Sequence, residues 1–511
     1  MATNDRTDTP VDARQDPQAY VSDLLQAAAV HQTSSHPGLD SPFRLCHRPA
    51  RMQSRTISIR PVVLSLLIGS VFIPAVVRGQ GFGIYEQGAC VMSRGGAGVA
   101  EPCDDGSAIY VNPAGVTGRK GVLVSGGATV IFGSGSFIPD QGITSKLDRT
   151  LAAPPHAYLQ YGLSETVAIG LGLYAPYGLS VKWPLDFGGR FVSYDSSLKT
   201  FYVQPTVAYA INDALSVGGG LTVAMSSVKL RRRQDLATVP LVVVPGATFG
   251  LLVDNQTDFV DTSLSASGAK GLGANLGMVV KVHNRVRIGA RYLTHVKLAY
   301  DGKSSFTPIP GGFRVTKPNP LGLPVGAPLD ISQVVGALQD QDASTELDMP
   351  AQLVVGLSVH ATPSLKIFAD YQWIGWSAFD TVTLDFSQPI PADEHLVQNY
   401  RDTNAVRVGM EFQVARALRV SAGYFYNQAA APDETVTPLL PEARRNHMTA
   451  GLGWNLHPNM TLDVAYQFVR HADRRGRIVN PPPGELPTVA LNSGVYRSRA
   501  DLLGITLTYR R

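Results

Sequence analysis

The chain has little charge and no long apolar run. Charged residues make up 16% of its 511 residues, compared with about 25% in soluble proteins. The longest apolar run, Val62–Val77, is shorter than the ~18–20 residues that a membrane-spanning helix needs. The low charge favours a surface that partly faces lipid, and the short run excludes a helical membrane protein. Strands must therefore do any membrane spanning.

The sequence also lacks the marks of a nucleic-acid-binding protein and of an enzyme. The net charge is only +4, and dense basic runs are confined to residues 231–233 and 474–475, so nucleic acid is not a predicted partner. No Gly-x-Ser-x-Gly elbow, phosphate loop or His-Glu-x-x-His motif occurs, and the 11 histidines are scattered. We therefore predict no catalytic residues, no metal and no cofactor.

An export signal stands well inside the chain. Basic residues precede the apolar run and a small-residue cleavage site follows it, ending at Gly79, which is the layout of a cleavable signal peptide. We predict a signal peptide at residues 52–79 with Met52 as the start of translation. Residues 1–51, which are polar and have no hydrophobic periodicity, are then a non-native or disordered extension.

Cysteine is rare in the exported part. Cys46 falls in the extension, which leaves Cys90 and Cys103. In an oxidising compartment these two could form a disulfide. The alternative is a pair of free thiols in a buried plug, because their spacing permits a bond without requiring one.

The mature chain changes character near residue 120. Residues 80–120 are Gly-rich and show almost no strand pattern, whereas residues 121–511 contain repeated runs of alternating apolar and polar residues, which indicate β-strands. The clearest apolar faces are Val286-Ile288-Ala290-Tyr292, Val406-Val408-Met410-Phe412-Val414, Leu418-Val420-Ala422-Tyr424-Tyr426 and Leu462-Val464-Tyr466-Phe468. We predict a small N-terminal plug followed by a large β-structure.

The residues on the second face of each run decide between lipid and water as the outer solvent. Glu411, Asp463, Arg287 and Arg291 alternate with the apolar residues, and charges would be costly in the dry core of a soluble sandwich. The lumen of a large barrel is polar and wet. A closed barrel also removes exposed strand edges. We therefore predict an all-β, transmembrane antiparallel barrel that closes on the C-terminal strand ending at Tyr509.

The connections between the strands have two lengths. Short turns are predicted at Asn212-Asp213, His283-Asn284 and His457-Pro458-Asn459, and long Pro/Gly-rich loops at 236–250, 308–328 and 480–487. Short turns on one side and long loops on the other are typical of outer-membrane barrels.

Three stretches together resemble one family, the FadL/TodX outer-membrane transporters of long-chain fatty acids and aromatic hydrocarbons. They are Gly81-Phe82-Gly83-Ile84-Tyr85-Glu86 with Ser93–Gly98 and Asn112-Pro113-Ala114-Gly115; Trp376–Asp380 with Tyr400-Arg401-Asp402-Thr403; and Leu418–Tyr426 with Pro438-Leu439-Leu440-Pro441 and Arg444-Arg445. The resemblance covers about Gln80 to the C-terminus. The chain departs from the family by ending on Arg510-Arg511 after Tyr509, where an aromatic usually stands.

The resemblance implies a barrel of about 14 strands in the bacterial outer membrane, plugged by an N-terminal hatch. A hydrophobic compound would be captured at the outer loops, enter a pocket inside and leave sideways through the wall. The implied partners are that hydrophobic small molecule, the outer-membrane lipids and the barrel-assembly machinery. The alternatives are a structural or receptor barrel whose lumen stays closed, and an outer-membrane lipid hydrolase, for which no Ser/His pair is evident.

A strand near residue 175 carries the predicted gate, formed by Ala175, Pro176, Tyr177 and Gly178. Proline removes a ladder donor and glycine weakens pairing, so such a strand should kink and open the wall. The matching family strand carries the exit kink. The alternative is that Pro176 simply ends the strand at an external loop.

Two further residues are candidate ligand contacts. In the family, the asparagine of Asn112-Pro113-Ala114 borders the ligand pocket, although an ordinary Asx-Pro turn explains the motif equally well. Arg232 falls where fatty-acid transporters place an arginine that faces the ligand carboxylate, or else it is a solvated loop base. The stretch Glu394-His395-Leu396-Val397 lacks a second basic residue, which favours a neutral hydrocarbon over a fatty acid.

Overall fold

The computed structural model describes residues 81–140, 142–476 and 493–511. The predicted extension, signal peptide and Cys46, together with the loop tract 480–487, lie outside the described residues. Within the described part, no helix has the length and apolar character to span a bilayer.

The described residues are mostly strand. The helices are α1 (Ala89–Ser93), α2 (Ala108–Val111) and α3 (Ser332–Ala337), with 3-10 turns at Pro113–Val116, Gly188–Phe191, Leu236–Thr238, Phe249–Leu251, Trp376–Ala378 and Asp433–Thr435. The first strand segments are β1 (Gly121–Pro139), β2 (Ser145–Lys146), β3 (Thr150–Ala152), β4 (Pro155–Gly162), β5 (Val167–Tyr174), β6 (Gly178–Lys182), β7 (Asp195–Ala210), β8 (Leu215–Asp235), β9 (Asp258–His283), β10 (Val286–Leu293) and β11 (Val296–Pro308). The remaining segments are β12 (Gln341–Met349), β13 (Gln352–His360), β14 (Leu365–Ile374), β15 (Thr381–Phe386), β16 (Glu394–Val397), β17 (Thr403–Ala415), β18 (Leu418–Asn427), β19 (Arg445–His457), β20 (Met460–His471), β21 (Arg474–Arg475) and β22 (Gly494–Arg510).

These segments form a closed antiparallel barrel of 14 strands. Seven of the 14 are interrupted, namely β2–β4, β5–β6, β10–β11, β12–β13, β14–β15, β16–β17 and β20–β21. Neighbours in the chain pair with one another, and β1 pairs with β22 from Leu123↔Arg510 to Pro139↔Gly494, so the sheet has no free edge there. The predicted fold class is confirmed.

The two faces of the wall have opposite polarity. Val408 and Met410 on β17 are 44% and 53% exposed, whereas the alternate residues Arg407 and Glu411 are 5% and 6% exposed. Because the barrel is closed, the exposed apolar face points outward and the buried polar face points into the lumen. The prediction that Glu411, Asp463 and Arg291 lie on the inner face is confirmed by their burial.

The two ends of the barrel differ in the length of their connections. At one end the turns are tight, as at Asn212, whose side-chain oxygen accepts from the backbone N–H groups of Ala214 and Leu215 at 2.9 Å. At the other end residues 236–257, 309–340 and 428–444 separate successive wall strands. Long loops of outer-membrane barrels face the cell exterior, so this end is extracellular.

Residues 81–120, hereafter the N-terminal segment, lie against the inner face of the wall. A Cβ at Gly409 or Gly423 would collide with the backbone of Arg94 or Gly95, so these wall glycines let the two backbones approach closely. The guanidinium of Arg94 donates to the Glu411 carboxylate at 2.5 Å, and the two side chains are 5% and 7% exposed. The segment is thus joined to the wall by backbone packing and a buried ion pair.

Glu101 forms a second junction between the segment and the wall. Its carboxylate accepts from Lys366 at 2.8 Å and from Ser358 at 2.7 Å, and His360 lies 2.7 Å away. Burial by itself would raise the pKa of Glu101, but the positive charges of Lys366 and Arg287 outweigh burial and hold that pKa well below its usual value. Glu101 is therefore a carboxylate at neutral pH.

Cys90 and Cys103 are joined by a disulfide within the N-terminal segment. A carboxylate oxygen of Asp105 lies within 4.8 Å of both sulfurs. Sulfurs that are bonded to each other offer no thiolate to a metal, so this cluster is a covalent crosslink and does not form a metal site.

Candidate functional site

An apolar cavity of about 120 Å³ lies inside the wall toward the extracellular end. Its lining includes Phe82, Leu198, Tyr300, Phe379 and Leu440. Leu440 belongs to the loop 428–444, so this loop reaches inward over the cavity. The cavity offers an almost entirely hydrocarbon surface, as expected of a site for a hydrophobic molecule.

A second, larger cavity of about 640 Å³ adjoins the first. Phe82, Leu179, Leu198 and Leu440 line both, so these side chains stand between them. We call the first the apolar cavity and the second the wall cavity, because the second is bordered by residues 151–155 and 178–180 of two neighbouring wall strands.

Phe82 is held in an aromatic cluster. Its ring lies 4.9 Å from that of Trp376, 5.4 Å from Phe379 and 6.2 Å from Tyr177, each in an edge-to-face arrangement. Such pairs contribute about 0.5–1.5 kcal/mol each beyond area burial. The Phe82 side chain is therefore a positioned partition between the two cavities.

The wall lacks ladder pairing between β3 and β6. The neighbouring segments β4 and β5 pair from Gly162↔Ala168 to Ala157↔Leu173, and no pair continues from β3 to β6. Contact between the two strands resumes toward the extracellular end, where the Asp148 N–H donates to the Lys182 carbonyl at 2.9 Å. The unpaired stretch between these two limits, hereafter the wall opening, is bordered by the wall cavity.

The kink between β5 and β6 is bonded to the N-terminal segment. The Ile84 N–H donates to the Pro176 carbonyl at 2.7 Å, and the Gly178 N–H donates to the Phe82 carbonyl at 3.0 Å. The Gln87 side chain donates to the Ala175 carbonyl at 2.8 Å and accepts from the Ala175 N–H. The backbone groups that lost their strand partner are therefore satisfied from inside the barrel.

The predicted gate residues meet at this place. Ala175, Tyr177 and Gly178 line the wall cavity, and Pro176 forms the bend. The strand resumes after the bend, because β6 pairs with the same neighbour, β7, as β5 does. Pro176 therefore interrupts the strand instead of ending it at an external loop.

The two predicted ligand contacts lie elsewhere. Asn112 is fully buried; its amide donates to the carbonyls of Val99 and Met278 at 2.7 and 3.0 Å, and its oxygen accepts from the Ala114 N–H. Arg232 forms a two-pronged ion pair with Glu394. Neither Asn112 nor Arg232 is among the residues that line the two cavities.

Several residues of the site carry weak sequence signals. Phe82 and Leu440 stand inside motifs of the family resemblance, but nothing in those motifs marks them as cavity lining. Gln87 and Thr200, whose hydroxyl donates to the Tyr177 carbonyl at 2.6 Å, have no local signal. A strand alignment that placed Thr200 opposite the bend would have identified it, but Gln87 lies in no strand and could not have been found this way.

Comparison with known proteins gives a consistent result. A family model described as outer membrane protein transport protein (OMPP1/FadL/TodX) matches residues 70–510. A 47 kDa outer membrane protein of Pasteurella multocida is 25% identical over 410 residues, 78% of this chain and 89% of its own. A long-chain fatty acid transport protein of an Escherichia coli strain is 21% identical over 424 residues, 79% of this chain and 90% of its own.

Solved structures match the fold. The crystal structure of a Pseudomonas aeruginosa FadL homologue superposes with a TM-score of 0.71 at 19% identity, covering 84% of this chain and 99% of that one. The Ralstonia pickettii toluene transporter TbuX superposes with a TM-score of 0.58 at 20% identity, covering 84% of this chain and all of that one (100%).

Proposed function

The chain belongs to the outer membrane protein transport protein family (OMPP1/FadL/TodX), and on that premise we propose that it carries neutral hydrophobic molecules across the outer membrane and releases them sideways through the wall opening. The observation that carries the proposal is the wall cavity, which adjoins an apolar cavity on one side and the unpaired stretch of wall on the other. The N-terminal segment acts as the plug that blocks the axial route.

The sequence of compartments supports a lateral route. A ligand taken up under Leu439 and Leu440 of the extracellular loop would first occupy the apolar cavity. Passing Phe82 would bring it to the wall cavity and then to the wall opening. A molecule that leaves there enters the hydrocarbon layer directly, so its apolar surface does not have to cross water.

Two cations in or beside the apolar cavity are already paired with acids, which favours a neutral ligand, and the third, Lys303, lines the cavity but is exposed. Lys229, which lines it, donates to Asp195 at 2.7 Å, and Arg232 is paired with Glu394. A carboxylate buried without a cation or hydrogen-bond donors is strongly unfavourable. The relatives are named for a fatty acid and for toluene; of these two classes, the arrangement here fits the uncharged one. A fatty acid would need Arg232 to exchange Glu394 for the ligand.

The route is tested by narrowing the wall opening. Ala153 lies on its rim, and Ala153→Trp should reduce uptake of a labelled neutral hydrocarbon by cells at least tenfold. Ala299→Trp, at an exposed wall position that lines neither cavity, is the matched control and should transport normally. Heat-modifiable gel migration verifies that both variants are folded, and uptake is compared at equal amounts of folded protein. Normal uptake by Ala153→Trp would overturn the lateral route, and absence of uptake by the unaltered protein would favour a receptor or structural barrel.

A further inference from the structure

A row of polar side chains crosses the outer face of five wall strands near the extracellular end. Tyr426 stands opposite Asn446, Asn446 opposite Arg470, Arg470 opposite Arg499, and Arg499 opposite Ser134. All five side chains carry a hydrogen-bond donor. They alternate with inward residues such as Val469 and Leu502, each 4% exposed, so the row points away from the lumen.

The centre of the row is a pair of like charges. Directly opposed residues of an antiparallel pair have Cβ atoms about 4.5–5.5 Å apart, and like charges at such positions are destabilising. Arg470 and Arg499 occupy such a pair. In the part of the chain that the structure describes, neither forms an ion pair; Arg499 donates only to the Ser134 hydroxyl, at 3.3 Å.

Two other arginines nearby are already paired with aspartates. Arg497 pairs with Asp473 at 2.8 Å, and Arg475 pairs with Asp140. Asp501, on the same face as Arg499 and two residues toward the periplasmic end, accepts a hydrogen bond from the Tyr466 hydroxyl at 2.5 Å. Among the described residues, Arg470 and Arg499 form no ion pair with an acid. The Asp501 carboxylate keeps its charge, since the Tyr466 hydroxyl that donates to it is neutral, and Arg444, which bonds to Tyr426, is a further cation at the end of the row.

The height of the row on the barrel indicates what lies beside it. Leu503, Ile505 and Leu507 point outward between Tyr509 and Arg499, and they are 38%, 45% and 45% exposed. At about 3.4 Å per residue and a tilt of about 40°, Arg499 lies about 26 Å above Tyr509, and the apolar band of such barrels is about 25 Å tall. The arginines therefore lie at the level of the outer-leaflet head groups.

From this geometry we propose that Arg470 and Arg499 bind a phosphate group of a phosphorylated glycolipid in the outer leaflet. Guanidinium groups bind phosphate oxygens through paired hydrogen bonds, and an anion between the two arginines turns their repulsion into attraction. Asn446 and Ser134 add neutral donors on either side. The acyl chains would lie along the apolar surface below, where Phe132 is 52% exposed. This site is separate from the transport route.

The test uses the full protein in nonionic detergent and bisphosphorylated lipid A, with bound lipid counted by native mass spectrometry. We expect Arg470→Gln/Arg499→Gln to weaken binding at least about tenfold, which corresponds to one lost charge-assisted hydrogen bond. Arg475→Gln/Arg497→Gln removes the same charge from the same region but only from paired arginines, and should stay within about twofold of the unaltered protein. Equal losses in both double variants would reduce the effect to general electrostatics and overturn the site.

Two further measurements do not depend on those variants. On the unaltered protein, dephosphorylated lipid A should bind at least about tenfold more weakly, whereas equal binding would contradict recognition of phosphate. Inorganic phosphate or phosphatidylglycerol should not displace lipid A at equal concentration; if either does, the site is not selective for the glycolipid. Without lipid, Arg470→Gln/Arg499→Gln should melt no lower than the unaltered protein, because it removes a repulsion. A lower melting temperature would instead indicate a structural role for the pair.

Discussion

Two parts of the N-terminal segment, its beginning and its middle, are held to the same wall by different forces. Residues 94–101 are fixed by the buried ion pair of Arg94 with Glu411 and by the half-buried pair of Glu101 with Lys366. Residues 82–87 are fixed without an ion pair, by hydrogen bonds to the kink and to wall residues such as Tyr158 and Gln467, and by the ring of Phe82. Removing one partner of a buried ion pair costs about 3–5 kcal/mol, whereas a neutral hydrogen bond contributes about 0.5–1.5 kcal/mol. The firmly held residues 94–101 line neither cavity, whereas Phe82 in the weakly held part lines both.

The largest expected effect comes from removing the buried ion pair that holds residues 94–101. Arg94→Ala leaves the Glu411 carboxylate buried without its closest cation. We expect the free energy of unfolding to fall by about 3 kcal/mol. Arg119→Ala is the matched control, because Arg119 pairs with Asp104 at the surface and exposed pairs contribute about 0–1 kcal/mol. Thermal unfolding of both variants measures the difference. Equal melting temperatures would show that the buried pair does not anchor the segment.

The disulfide has an expected effect of about the same size. It closes a short loop inside the N-terminal segment, and by chain entropy it contributes about 3 kcal/mol to the order of that segment. Because it does not reach the wall, Cys90→Ser should leave the barrel folded. Retained heat-modifiable migration together with faster proteolysis of the segment is the expected result; an unfolded barrel would refute the separation of segment and wall.

Uptake should depend on the kink between β5 and β6, which contacts the weakly held residues 82–87. The double variant Pro176→Val/Gly178→Val adds bulk at the kink. A Cβ at position 178 would lie only 2.8 Å from the Ile84 side chain. We expect a stable barrel and at least tenfold slower uptake of a neutral hydrocarbon, since β-branched residues favour the strand and fill the opening. Cells with matched surface abundance provide the measurement. Normal transport by this double variant would show that the kink is not the exit.

Acid should destabilise residues 94–101 before residues 82–87, because only the first group depends on the Glu101 ion pair. The pKa of Glu101 is lower in the folded protein than its usual value of 4.5, so its stabilising contribution is complete above that value and is lost as the pH falls below it. The protection of the amides of residues 97–101 from hydrogen exchange, corrected for the slower intrinsic exchange in acid, should therefore fall as the pH drops from 5 by about one to two units, and Glu101→Gln should abolish this dependence. An unchanged dependence in Glu101→Gln would assign it to another group.

The smallest expected change is in ligand preference. Glu394→Gln removes the carboxylate that holds Arg232, which frees a cation near the apolar cavity. Affinity for a long-chain fatty acid should rise by about threefold to tenfold, while affinity for a neutral hydrocarbon stays the same. Fluorescent ligand displacement measures both. If neither changes, Arg232 does not reach the ligand.

The sequence predicts those features of the fold that repeat along one strand. Alternation placed Val408 outside and Glu411 inside, and the chemistry of proline and glycine located the bend at Pro176. Pairings across the barrel could not be predicted this way. Arg94 meets Glu411 only because the segment crosses the lumen, and the Pro176 carbonyl is satisfied by Ile84 instead of a neighbouring strand.

The candidate site was less predictable than the fold, for the same reason. The function of Arg232 depends on Glu394, which lies 162 positions away in the chain. Asn112 carries a recognisable motif, but its amide is used by two backbone carbonyls on opposite sides. A motif specifies which residue type stands at a position. The function of that residue depends on its neighbours in space, and these are set by strand register and loop packing. The ligand roles of Asn112 and Arg232 stay predictions.

The seam between β1 and β22 constrains the order of assembly. The N-terminal segment continues directly into β1, and β1 pairs along its length with the last strand of the chain. The ring cannot close at this seam until β22 has been made. A closed wall offers the segment no way in, so the segment either is seated against Gly409 and Gly423 before the seam forms or enters along the barrel axis. The first and last strands of the wall, β1 and β22, therefore meet only after the other strands between them have been made.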